Sequence, residues 1–182
     1  MIIIAIIFIF LVIAFLKKGI PTLHSNWNAL ISDFQYSTKE FYERLTVELK
    51  SHGIDKVRIV NKNISTGGSF SKQRLYLRVS WKQYTYDCCL APFGTKNTFV
   101  SWWLYSEKTG FESLLSKVPF VGAYLSKAFF PETYYTHDTA SMFMTYAQAS
   151  IQKVIDDITT EKGLRPLSEN QKKPILQDVF KR

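Results

Sequence analysis

The sequence predicts an α+β fold: an N-terminal transmembrane helix followed by an antiparallel sheet of three to four strands, with helices packed on it as a two-layer sandwich. Three observations predict it. Residues 1–16 contain no polar or charged side chain. Leu75, Leu77, Val79 and Trp81 alternate with Arg74, Tyr76, Arg78 and Ser80, the period of a strand with one buried face. Phe41, Leu45 and Leu49 before that strand, and Phe143, Ala147, Ile151, Val154 and Ile158 after it, recur at helical spacing.

The N-terminal segment is read as a single-span anchor over residues 1–18. Sixteen apolar residues reach about 24 Å as a helix against a hydrocarbon core of about 30 Å, and Lys17 and Lys18 can snorkel to the head groups. No basic region precedes the apolar run and no A-x-A pattern follows it, which separates an anchor from a cleaved signal peptide. Two lysines directly after the span place the main domain in the cytoplasm by the positive-inside rule. The expected location is therefore the membrane, single-pass.

Length and composition suit one domain. The chain has 182 residues, 46% apolar, 15% aromatic and 21% charged, so the part beyond the anchor has enough apolar content to fold around one core. The division expected is a connector over 19–36, an α+β domain over 37–163 and a basic tail over 164–182. A formal charge of +8 favours anionic partners. Cys88 and Cys89 are adjacent and would point to opposite faces of a strand, so they are expected to be reduced thiols, as in a cytosolic domain.

The connector holds Pro21 and an amphipathic stretch over 27–34. Ser37-Thr38-Lys39-Glu40 then has capping-box spacing and should start a helix, which Gly53 is placed to close. A β-branched run over 57–64, the turn Thr66-Gly67-Gly68-Ser69, the alternating run ending at Trp81, a turn near Lys82-Gln83, the run 84–91 and the run 99–105 supply the strands. The last is apolar or aromatic on both parities and should be covered on both faces. Residues 111–129 read as two short amphipathic helices with a kink at Pro119 and Gly122. Asp138 is the expected cap of a long helix ending at Gly163, and Ile175, Leu176, Val179 and Phe180 give the tail a short helical pattern.

The clearest surface signal is charge. Residues 56–82 contain Lys56, Arg58, Lys62, Lys72, Arg74, Arg78 and Lys82 and no Asp or Glu. Period-two geometry puts Arg74, Arg78 and Lys82 beside Tyr76, opposite the Leu75, Leu77 and Val79 face, with Lys56, Arg58 and Lys62 able to align alongside. Such a surface suits phosphate or another anionic partner; the alternative is a solvated face whose charges keep a sheet edge from aggregating. A second candidate surface is the apolar side of the amphipathic segment, Phe111, Leu115, Val118, Val121, Leu125 and Phe129, which would either meet lipid or cover the 99–105 strand.

Catalytic candidates are Cys88, Cys89, His137 and Asp138, since a thiol nucleophile needs a base and the base an orienting carboxylate. The spacing carries no signature of such an enzyme. No metal-ligand spacing, P-loop or RNA-binding signature is present, so no cofactor is expected and nucleic acid ranks behind other partners. The function expected first is a membrane-anchored, non-enzymatic interaction module that recruits or organises a partner in a membrane-associated complex, by capture or self-association. A lipid-engaging effector using the basic face and the amphipathic segment comes second, with anionic lipid as its ligand. A small Cys/His enzyme comes third.

Overall fold

Eleven strand residues lie where a connector was expected, and they complete the sheet. In the computed structural model, which describes residues 21–65, 73–107, 124, 128–129 and 133–176, the elements run β1 (Pro21–Ile31), α1 (Thr38–Ser51), β2 (Arg58–Ser65), β3 (Gln73–Trp81), β4 (Tyr84–Phe93), β5 (Asn97–Glu107), α2 (Tyr134–Glu161), α3 (Glu169–Lys172) and β6 (Ile175–Leu176). The strands form one antiparallel sheet in the order β2-β3-β4-β5-β1-β6. The chain leaves β1, crosses through α1 to the far edge and returns by three successive antiparallel connections to lie beside β1 again.

The helices bury one face of that sheet. Ser37 caps α1 by accepting from the Glu40 N–H, and its apolar stripe of Phe41, Tyr42, Leu45 and Leu49 is buried against the sheet and against α2. From α2 the buried stripe is Phe143, Ala147, Ile151, Val154, Ile155 and Ile158. Trp27 and Trp102 lie opposite each other on β1 and β5, 2% and 0% exposed. An indole of that size buries roughly 200 Å², about 5 kcal/mol of gross apolar burial each, which makes the β1–β5 seam the centre of the core. The Tyr42 hydroxyl stitches α1 to the sheet: it lies 2.9 Å from the Leu75 carbonyl oxygen and accepts from the Leu90 N–H at 3.2 Å. Tyr146 donates to the Leu49 carbonyl at 2.7 Å and joins α2 to the end of α1.

Beyond Gly163, which takes φ 65 to end α2, the chain straps across the open side of β1. Leu167 is buried, Trp27 Nε1 donates to the Gln171 carbonyl, Gln148 and Gln152 donate to the Lys172 carbonyl at 2.7 and 2.8 Å, and Ser25 donates to the Ile175 carbonyl at 2.9 Å.

Four expectations are corrected. The sheet has six strands among the described residues, not three or four, because β1 and β6 lie in segments read as connector and tail. The membrane-spanning helix placed at 1–18 lies outside the described residues, and among those residues no helix is long and apolar enough to cross a membrane. The longest, α2, carries Asp138, Lys153, Asp156, Asp157 and Glu161. Ile175 and Leu176 are strand rather than helix. The cap of α2 is Thr133, whose side chain accepts from the Thr136 N–H, with Asp138 already in the helix. The helices expected over 111–129 fall on residues outside the described set, apart from Tyr124, Ala128 and Phe129.

Candidate interaction surface

With α1 and α2 on one side, the opposite face of the sheet is defined residue by residue by strand register. One row runs Val60, Arg78, Asp87, Trp103, Asn26 and Ile175, and the next Arg58, Ser80, Thr85, Tyr105 and Leu23. Lys62 lies opposite Tyr76, and Ile64 opposite Arg74. Ala91, Phe99 and Leu30 form a further row. The face therefore has two halves. On β2 and β3 it carries Arg58, Lys62, Arg74, Tyr76 and Arg78; on β5 and β1 it carries Tyr105, Trp103, Phe99, Leu23 and Leu30.

Between the halves, β4 contributes small or polar side chains that are buried: Thr85, Asp87, Cys89 and Ala91. On the apolar half, Trp103 is 44% exposed, Leu30 42% and Leu23 36%. The β5 strand is thus covered on the helix side, where Val100, Trp102 and Leu104 are buried, and open at Trp103 on the other.

Not every cation of residues 56–82 is available to a partner. Arg78 donates two parallel hydrogen bonds to Asp87, Nε to Oδ1 at 2.7 Å and Nη2 to Oδ2 at 2.6 Å. The Tyr105 hydroxyl donates to the same Oδ2 at 2.9 Å. The Asp87 carboxylate holds the Arg78 guanidinium pKa above its ordinary value, and burial, reinforced by Asp87, pushes the Tyr105 phenol up. Asp87 escaped the sequence reading because it arrives from the next strand, beyond the acid-free window. Lys82 also leaves the row: it sits in the β3–β4 turn at φ 53 with its ammonium 4.4 Å from the Trp81 ring centroid, and Trp81 packs on the helix side. Lys56 is an exposed turn residue at φ 62 just before β2.

The exposed cations within strands on this face are Arg58, Lys62 and Arg74. Tyr76 is partly buried, and its phenol is raised chiefly by that burial. Of the second candidate surface, Phe111, Leu115, Val118, Val121 and Leu125 lie outside the described residues, and Phe129 is exposed.

The catalytic candidates are not brought together. Cys88 is buried on the helix side between Leu77 and Trp102, and Cys89 is buried on the opposite face. Burial pushes both thiols up, Cys88 well above its ordinary value, so neither is poised as a thiolate. His137 and Asp138 lie in the first turns of α2, which the Tyr84 hydroxyl fixes by donating to the Thr136 carbonyl at 2.6 Å. Tyr84 is four residues from Cys88 along β4, roughly 13 Å at strand rise. Among the described residues, no three His, Cys, Asp or Glu side chains cluster as metal ligands.

No family model, curated protein or solved structure matches the chain.

Proposed function

We propose that the chain is a non-enzymatic interaction module, recruiting or organising a protein partner that docks on the sheet face turned away from α1 and α2. The observation that supports this reading is the division of that face. A cationic half with Arg58, Lys62 and Arg74 lies across β4 from an apolar half where Trp103, Leu30 and Leu23 are open to solvent. Aromatic and arginine side chains are the favoured anchors of protein interfaces, and a cationic border selects partners with acidic groups beside apolar ones.

Burial of both cysteines and their distance from the start of α2 weigh against the Cys/His enzyme. The lipid-engaging reading draws on the same basic face and on residues 111–129; the open Trp103, Leu30 and Leu23 across β4 from the cations favour a protein partner over a lipid surface.

Photo-crosslinking in cells tests it. A crosslinking side chain in place of Lys62 or Asn28, both exposed on this face, should give adducts with one protein, whereas the same group at Val47, 70% exposed on α1, should not. Adducts confined to position 47, or none at any position, would contradict the reading.

A further inference from the structure

The sheet ends at β2. It pairs with β3 along all eight residues, Arg58–Ser65, and among the described residues no strand pairs with its other edge. The core reaches only the start of this strand, where Ile59 packs against it. Asn61 and Asn63, opposite Leu77 and Leu75 on the helix side, are exposed, as are Arg58, Lys62 and Ser65. The other edge of the sheet is different, since the two-residue β6 and the strap behind it cover part of β1.

We infer that β2 takes up an extended acidic segment of a protein partner as a seventh, antiparallel strand. This rests on the interaction-module reading and specifies how the partner is held. On the outer face β2 presents Arg58, Val60, Lys62 and Ile64, a cation and an apolar group in alternation. Residues directly opposite in neighbouring strands touch, so the incoming strand is specified position by position. Read from its N-terminus it is apolar opposite Ile64, acidic opposite Lys62, apolar opposite Val60 and acidic opposite Arg58, with polar residues between them facing Asn63 and Asn61 and a β-branched residue facing Ile59. Main-chain hydrogen bonds supply the pairing and the side chains the selection.

Charge decides the occupant. Edge lysines and arginines deter pairing with most strands, and here they do so without a neighbouring acid anywhere in residues 56–82. A second copy of β2 pairing antiparallel about Val60 would set Arg58 opposite Lys62 at both ends, and pairing about Asn61 would set both cations opposite the apolar Ile64 and Val60, so neither register gives them a counter-charge. A strand bearing Glu or Asp at those two positions turns the same deterrent into attraction.

The test uses the full-length chain in mild detergent, which keeps its apolar first sixteen residues in solution, and the synthetic peptide Val-Thr-Glu-Thr-Val-Thr-Glu as probe. Two further versions of the peptide are N-methylated at alternate residues, one on each edge. The parent should bind and slow amide exchange in residues 58–65, and only one methylated version should bind. Lys62→Glu, an exposed change checked by circular dichroism for retained fold, should weaken binding about tenfold. Failure of the parent to bind, binding without protection of 58–65, or equal binding of both methylated versions overturns strand addition. So does protection of 58–65 without peptide in a dimeric protein, which would make a second copy the occupant. These outcomes leave crosslinking at position 28, on β1 and away from β2, to judge the interaction-module reading separately.

Discussion

Arg78 on β3 and Asp87 on β4 face each other across adjacent strands and join through two parallel hydrogen bonds of 2.7 and 2.6 Å, with the Arg78 side chain 17% exposed and the Asp87 side chain 6%. The pair closes the middle of the outer face and separates its cationic from its apolar half. Asp87→Ala leaves a half-buried guanidinium without its carboxylate and should cost about 3 kcal/mol in urea unfolding. A loss under about 0.5 kcal/mol would show the pair to be solvated like an ordinary surface bridge.

Tyr86 and Trp102 stack with ring centroids 5.0 Å apart, and among the described residues neither the Tyr86 hydroxyl nor the Trp102 indole N–H has a hydrogen-bond partner, although both atoms are buried. Tyr86→Phe keeps the ring and removes a desolvated hydroxyl, so it should stabilise the fold by about 1 kcal/mol and raise Tm. A lowered Tm would mean that the hydroxyl is satisfied in solution.

Alkaline pH should unfold the domain through its buried phenols. Burial raises Tyr42, Tyr86 and Tyr105, and Tyr146 is pushed up to about 12 by the same cause. The folded state keeps these groups protonated, whereas unfolded tyrosines ionise near pH 10. Their contribution is therefore fully present below about pH 10 and is lost as pH rises toward the folded values. Thermal melts across that interval should fall steadily, and less steeply in Tyr86→Phe. A Tm indifferent to pH there would place these phenols in contact with water.

The C-terminal strap is held at several points, including the Lys172–Asp156 ion pair at 2.9 Å and the buried Leu167. Leu167→Ala should cost about 2 kcal/mol. Truncation after Gly163 removes the strap, uncovers the β1 edge and should promote sheet-to-sheet aggregation, read by light scattering. A truncated chain as stable and as soluble as the full one would show that the strap is detachable.

Local patterns in the sequence located α1, the alternating β3, the run of β4 and the buried stripe of α2, because each buries one face at the period of its element. β1 was hidden for a physical reason. His24 stands between Leu23 and Ser25, where the register shifts, so the apolar alternation breaks there, and the apolar Leu30 on the open face lets Trp27, Leu30, Ile31 and Phe34 fall at the i, i+3, i+4, i+7 spacing of an amphipathic helix. β6 has only two residues and is fixed by hydrogen bonds to distant partners, which no local pattern records. On the candidate surface, the shared face of Arg74, Tyr76 and Arg78 follows from period two. The withdrawal of Arg78 by Asp87 and of Lys82 by the hairpin turn depends on which strand lies next and how the chain reverses.

The measurement that bears most directly on the interaction module compares complexes of the full-length chain with those of an Arg58→Glu, Lys62→Glu, Arg74→Glu variant. Both are reconstituted with the crosslinked partner and sized by light scattering at matched concentration. All three side chains are exposed, so the variant should fold as the parent does. A complex of defined mass in the parent, weakened at least about tenfold in the variant, is the predicted result. Equal complexes from the two chains, or a parent that remains monomeric in the presence of that protein, would contradict the assignment of this face as the docking surface.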